Sequence, residues 1–242
     1  MKFKKDALFI QDSFDATKGI EGGDTWIFAQ RALASANVDC SECNFFEVGP
    51  KHGLHTILVD AHQPKSITCV EAPNKLRSNE RYLRENRTWI PHIKTENFYV
   101  HYQDFDKFVS EDKYDLLFYA GVMYHNINQI GQLKRLHALA SEDAYMVFES
   151  STTRNEKFID ENVIELHYPP YSPANRAQTC VLHPSKLACK SMLDIAGWEA
   201  IETSDDYDDI ANIERINILC RKGTPRKNRH LTDDNLGTNA QL

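Results

Sequence analysis

The sequence predicts an α/β protein in which a mostly parallel sheet carries helices on both faces. Three observations carry this. Short apolar segments alternate along the chain with segments of helical character, the order that builds a parallel sheet. The apolar segments run on without polar alternation, as strands buried on both faces do. The chain has 242 residues, 41% of them hydrophobic and 26% charged, the composition of a globular domain large enough for a real core.

The elements follow in order. Residues 1–40 read as an N-terminal helical extension. Its DATKGIEGGD stretch is a polar, glycine-containing loop, and Asp24 is placed to cap the amphipathic segment TWIFAQRALASANV. Asn44–Val48 is a short apolar strand that meets a Gly-Pro turn, and Leu54–Ala61 follows as a helix. Ser66–Val70 is a second strand ending at Glu71, and Asn74–Asn86, rich in Arg, Leu and Glu, reads as a helix. Phe98–Tyr102 is a third strand, followed by Asp104. Tyr114–Ala120 is the fourth and most apolar strand. Ile127–Leu139 is a helix with Leu133, Leu136 and Leu139 on one side, and Tyr145–Glu149 is a fifth strand.

Residues 150–184 break the pattern. YPPYSPANR holds three prolines and two tyrosines and predicts an ordered loop or lid. His183-Pro184-Ser185 opens a helix that runs to Ala196 and stops at Gly197. Trp198–Thr203 and Arg215–Cys220 are two last strands with an acidic loop, Ser204–Asp209, between them. Residues 223–242 carry little apolar content and read as a disordered tail, which leaves 41–222 as the main domain.

Composition excludes several classes. No apolar run approaches the roughly 18–20 residues of a membrane span. The N-terminus turns acidic before an apolar stretch forms and is not read as a secretory signal. The net charge of −7 argues against a general nucleic-acid coat. Six cysteines without a signal peptide predict free thiols and a cytoplasmic location. Cys40 and Cys43 form a CxxC, but no second pair completes a metal set, so small buried side chains are the expected reading.

The segment that carries chemistry is Phe45-Phe46-Glu47-Val48-Gly49-Pro50-Lys51-His52-Gly53. A strand delivers an acid, then a glycine-containing turn leads into a helix, at the sheet edge where open parallel sheets bind ligands. This is not GxGxxG: the glycines are four apart and an acid stands two before the first. A carboxylate there repels a pyrophosphate and suits a ligand with an amino group and a sulfonium.

At these residues the sequence resembles the class I S-adenosylmethionine-dependent methyltransferases, with their seven-stranded Rossmann-like sheet whose last strand is antiparallel. Three further features fall in the family's order: Glu71 ending the second strand, Asp104 after the third, and Tyr114-Asp115-Leu116-Leu117-Phe118 opening the fourth. The likeness covers about residues 41–222. Lys51 stands where many members have another glycine, and Pro50 stiffens the turn. The resemblance implies S-adenosylmethionine as cofactor, bound by Glu47, Gly49, Pro50, Gly53, Glu71, Ala72, Asp104, Phe105, Ala120 and Gly121. Within it, Glu71 takes the ribose hydroxyls and Asp104 the adenine amino group.

Ala120-Gly121-Val122-Met123-Tyr124-His125-Asn126 is similar to the Gly-Val-x-Tyr-His stretch of relatives of the tRNA wobble-uridine alkyl transferases. That likeness places Tyr124 and His125 beside the transferred methyl, with His125 as the base candidate. Plainer readings stand beside these. Glu71 can cap a helix, Asp104 a turn, Phe105 can pack in the core instead of over adenine, and His125 can be structural. Arg77, Arg81, Arg84 and Arg87 form a basic stripe that either contacts phosphate or, with Glu80 and Glu85, makes a solvated face. Asp205, Asp206, Asp208 and Asp209 read as a solvated loop, and Tyr168–Tyr171 with Arg176 as a substrate lid or a packed loop.

The expected activity is methyl transfer to a small-molecule acceptor. A tRNA-modifying transferase, a nucleotide-binding oxidoreductase and a non-catalytic binding module are the alternatives. The absent GxGxxG weighs against the oxidoreductase, and Lys51 is the one feature that favours the module.

Overall fold

The computed structural model describes residues 22–72, 88–153, 155–158, 160–167, 181–208 and 213–225. The Asn74–Asn86 helix, the arginine stripe, the Tyr168–Arg176 lid and the tail beyond residue 225 lie outside the described residues.

Five parallel strands follow the predicted places: β1 (Asn44–Val48), β2 (Ser66–Glu71), β3 (Phe98–Tyr102), β4 (Tyr114–Ala120) and β5 (Ala140–Thr152). They join β8 (Trp198–Asp208) and β9 (Ile213–Lys222) in a seven-stranded sheet of order β3-β2-β1-β4-β5-β9-β8. β9, the last strand, is antiparallel to both its neighbours. The order reverses between β1 and β4, so the turns that leave these two strands flank the switch point where open sheets bind ligands.

Alternation along the strands sorts side chains into two cores. Phe45, Leu116, Phe118, Val147 and Leu219 face α1 (Gly23–Ser35) and α2 (Leu54–Asp60), packing with Trp26, Leu33 and Val59. Phe46, Leu117, Tyr119, Met146, Phe148 and Ile218 face α3 (Gln129–Leu139) and α4 (Lys186–Ala196), packing with Leu133, Leu136, Met192 and Leu193. Trp198 crosses this second layer, and its indole donates to the Leu133 carbonyl at 3.1 Å. No described helix is long and apolar enough to cross a membrane.

The structure corrects the sequence reading at three places. The acidic loop Ser204–Asp209 is strand through Asp208, because β8 is an edge strand whose backbone bonds come from β9. Charge on such an edge is tolerated and discourages further pairing. Residues 150–184 are not all loop: β5 runs on to Thr152, and β6 (Ile164–His167) pairs with β7 (Val181–Pro184) as a separate antiparallel sheet. α1 is capped by Gly22 in a left-handed conformation (φ 84°), and Asp24 lies inside the first turn.

Helix α4 starts where the sequence signals it. Ser185 Oγ accepts from the Ala188 N–H at 3.0 Å and donates to the Glu161 carbonyl, joining the cap to the segment before β6. Gly197 closes the helix at φ 96°. Ser185→Ala is expected to cost about 1–2 kcal/mol in urea unfolding, the loss of an N-cap and one further bond. A loss of a few tenths contradicts the capping role.

Candidate functional site

The turn after β1 is built from left-handed residues. Gly49 has φ 71°, Lys51 φ 50° and Gly53 φ 73°. A Cβ on Gly49 would meet Val122 Cγ2 at 2.8 Å, and one on Gly53 would meet the Trp89 ring at 2.1 Å. Both glycines are therefore required sterically as well as by conformation. Lys51 occupies the same region with a side chain, at a cost of about 1–2 kcal/mol. Its peptide is held at both ends: the N–H donates to Glu71 Oε2 at 2.9 Å, and the carbonyl accepts from Trp89 Nε1 at 3.1 Å. Gly49 N–H donates to the Val70 carbonyl at 2.8 Å. Pro50 O accepts from Gly53 N at 2.7 Å.

Glu47 turns away from this loop, into the layer under α1. It is 3% exposed. Its Oε1 faces His55 Nδ1 at 3.0 Å, and Oε2 accepts from the Thr56 hydroxyl. His55 Nε2 lies 3.1 Å from the Gly22 carbonyl. Both ring nitrogens thus face acceptors, the pattern of a doubly protonated imidazole. Burial pushes His55 toward the neutral form, but the hydrogen bond and charge of Glu47, with the Gly22 carbonyl, outweigh it and raise the pKa. His55 joins the end of β1 to the start of α1.

Glu71 ends β2, partly buried. Burial raises its pKa, opposed by the Lys51 and Ala72 backbone N–H groups. Asp104 follows β3, half exposed, 3.4 Å from Lys107 Nζ. Phe105 is 6% exposed and its ring packs against Phe46 at 6.0 Å. Of its two readings, the ring takes the core one. The next residue does more than its sequence position suggests. Asp106 accepts from Asn126 Nδ2 at 3.2 Å and Gln132 Nε2 at 3.3 Å, linking the turn after β3 to the turn after β4.

Beyond β4, Ala120 leads into Gly121 at φ 72°, whose N–H donates to the Glu149 carbonyl at 3.3 Å. A short 3-10 turn, Met123–His125, presents Tyr124 and His125 with ring centroids 4.3 Å apart. Tyr124 also lies 5.9 Å from the His183 ring on β7. Glu149 ends the apolar part of β5, and its Oε1 pairs with Arg215 Nη1 at 2.7 Å. Arg215 also bonds Tyr124. Burial and then the positive charges of His183, Arg215 and Lys51 hold the His125 pKa below its ordinary value, which keeps the ring neutral near pH 7.

The structure brings Glu71, Asp104, the Gly49–Gly53 turn, Gly121, Tyr124 and His125 to the carboxyl edge of the sheet. It adds His55, Glu149, His183 and Arg215, which sequence reasoning missed. Glu149 carried the signal that singled out Glu47 and Glu71, an acid closing an apolar strand. His55 and Arg215 are defined by partners distant in sequence. The CxxC thiols are buried and free, and burial pushes Cys40 up to about 12. Among the described residues no group of three or more His, Cys, Asp or Glu is placed to hold a metal ion.

The His55 link gives a pH-dependent expectation. A raised folded pKa means its stabilisation is full below the unfolded value of about 6.5 and is lost as pH rises through the folded value. His55→Gln should therefore cost about 1–2 kcal/mol at about pH 6 and less at about pH 9 in urea unfolding. An equal cost at both pH values contradicts the charged link.

No protein-family model and no curated protein matches the chain. Solved structures do. A putative S-adenosylmethionine-dependent methyltransferase from Listeria monocytogenes aligns at TM-score 0.64 and 11% identity, over 84% of this chain and 99% of that one. The 1,6-didemethyltoxoflavin-N1-methyltransferase of Burkholderia thailandensis, solved with 1,6-didemethyltoxoflavin and S-adenosylhomocysteine, aligns at 0.61 and 14%, over 92% of both chains. The N-methyltransferase NodS of Bradyrhizobium japonicum WM9, solved with S-adenosylhomocysteine, aligns at 0.55 and 13%, over 80% of this chain and 83% of that one. The chain has the Rossmann-like fold of the class I S-adenosylmethionine-dependent methyltransferases.

Proposed function

We propose that the protein is an S-adenosylmethionine-dependent methyltransferase acting on a small-molecule acceptor. The observation that carries this is the Glu71–Lys51 contact. It sets a partly buried carboxylate against a turn of left-handed residues at the switch point of the sheet.

The donor set fits the cofactor. Glu71 and Asp104 are acceptor-only groups at the ends of adjacent strands, suited to ribose hydroxyls and an adenine amino group. The same carboxylates disfavour a pyrophosphate. The backbone of the Gly49–Gly53 turn is a cradle for the amino-acid end, with Pro50 stiffening it. Ala72 and Phe105 would contribute backbone beside Glu71 and Asp104, and Ala120 and Gly121 would border the reacting end. Glu47, bound to His55 and Thr56, acts from behind by fixing the strand end.

When bound, the cofactor supplies an electrophilic methyl group on a sulfonium. The chain supplies the rest. The turn and the two acids orient, and Tyr124 and His125 line the acceptor side. His125, kept neutral, is able to take a proton. Positioning of this kind contributes much of the rate in such displacements. A small acceptor is favoured by the fold neighbour solved with 1,6-didemethyltoxoflavin, a small molecule. The tRNA reading rests on the Gly121-Val122-Met123-Tyr124-His125 stretch alone within the described residues.

Calorimetry with S-adenosylhomocysteine tests the proposal. The wild-type chain is expected to bind with a Kd of micromolar order, about −8 kcal/mol. Glu71→Ala should weaken binding by about 10- to 100-fold, the value of charge-assisted hydrogen bonds. Asp104→Ala, at an exposed position, should weaken it by about tenfold or less. Absence of binding at millimolar concentration sinks the proposal.

A further inference from the structure

The proposed reaction must dispose of a proton whenever the attacking atom carries one, and the described residues offer a buried group for it. Glu149 is 3% exposed and sits at the carboxyl end of β5, beside the turn that follows β4. It faces Arg215, but the pair is not the two-pronged fork that guanidinium and carboxylate usually make. Arg215 Nη1 engages Oε1 at 2.7 Å, and the Gly121 N–H is the other described donor to the carboxyl, so no second side chain is bonded to it among the described residues. A Cβ built on Gly121 would lie 3.8 Å from Glu149 Oε2 and 3.9 Å from Tyr124 Oη. Two oxygens therefore converge on one bare spot at the end of β4. A second polar atom waits on the same face. Ser151, two residues on and directly across from Arg215, is 1% exposed, and its Oγ has no hydrogen-bond partner among the described residues.

A buried ion pair is a poor stabiliser compared with apolar packing of the same volume. A pair engaged through one guanidinium nitrogen is poorer still as structure, and it leaves the carboxyl able to take a further donor, as a site requires. We propose that Glu149 is the proton acceptor of the site, its Oε2 receiving the hydrogen of an attacking amine or hydroxyl on the acceptor. The inference rests on the methyltransferase reading. As the nitrogen or oxygen forms its bond to the methyl carbon, the carbon–sulfur bond breaks and its electron pair stays on sulfur, leaving a thioether. The proton passes to Glu149, which returns it to water when the products leave. Arg215 and Tyr124 are positioning residues: the guanidinium fixes Oε1 and bonds the Tyr124 side chain, so that both oxygens face Gly121.

The groups facing Glu149 are Arg215 on β9, His55 on α2, Tyr124 in the 3-10 turn and the Cys189 thiol on α4. Burial raises the carboxyl pKa, and Arg215, the Gly121 N–H and His55 only partly offset it. A raised value brings the group closer to neutrality, which favours proton capture.

Sinefungin tests this without an acceptor. It carries a carbon-bound ammonium where S-adenosylmethionine carries its methylated sulfonium, so its charge reports on a carboxylate at the reacting position. Binding of sinefungin and of S-adenosylhomocysteine is measured by calorimetry on the full wild-type chain and on Glu149→Gln. Wild type is expected to prefer sinefungin by about tenfold, the value of one charge-assisted hydrogen bond. Glu149→Gln should abolish the preference and leave S-adenosylhomocysteine binding within about twofold. The wild-type chain gives a second reading that needs no variant: the preference should fade as pH falls through the raised carboxyl pKa and the carboxylate is protonated. A preference kept in Glu149→Gln, absent in wild type or flat with pH overturns the assignment while leaving the methyltransferase reading intact. Failure of wild type to bind either compound overturns both.

Discussion

The Lys51 peptide is the point on which the site depends. It lies in a left-handed conformation that a side chain disfavours. It is kept there by Glu71 on its N–H and the Trp89 indole on its carbonyl. The same two residues reach further. Trp89 covers Gly53, where a Cβ would collide with its ring, and Glu71 closes β2 beside the turn. Gly49, at the other end of the turn, lies against Val122 in the loop after β4. Two turns that meet at the reversal of strand order are thus fixed against each other by contacts with no room for an added methyl.

Three acids stand at or near the carboxyl ends of three parallel strands, and their surroundings give them different chemistry. Glu47 is turned inward and engaged by His55 and Thr56, so its charge is used within the protein. Glu71 is partly exposed and shares its charge with backbone N–H groups. Glu149 is buried, paired with Arg215 through Oε1 and reached by the Gly121 N–H. A residue type at a strand end is therefore not a role. The neighbours decide how far the carboxylate is neutralised within the protein.

Much of the fold was legible because the strands of a parallel sheet are short apolar runs that end abruptly. Phe45–Val48 into Gly49-Pro50, and Ser66–Val70 into Glu71, announce both the strand and the turn. The polar edge strand β8 was not legible, since Asp205, Asp206 and Asp208 look like a loop until β9 supplies their backbone partners. The short pair β6 and β7 was hidden by its length and by Pro184. In the site, the acid and the two glycines of the turn after β1 stand out by spacing, while Glu71 and Asp104 are singled out by the family resemblance and lie at the ends of β2 and β3. The His55–Glu47–Gly22 link and the Glu149–Arg215–Tyr124 cluster could not. Arg215 and Glu149 are 66 residues apart and meet only because β9 returns antiparallel to β5.

The central claim is one of place: a cofactor bound across the turns that leave β1, β2, β3 and β4. Amide hydrogen exchange with and without saturating S-adenosylhomocysteine tests it most directly, because exchange reports local opening along the backbone. The account requires added protection at Gly49–Gly53, at Ala72, at Asp104-Phe105 and at Gly121–His125, and little change at the opposite sheet edge around Gly197 and Gly223. Protection confined to that opposite edge, or none on the turn after β1, would contradict it.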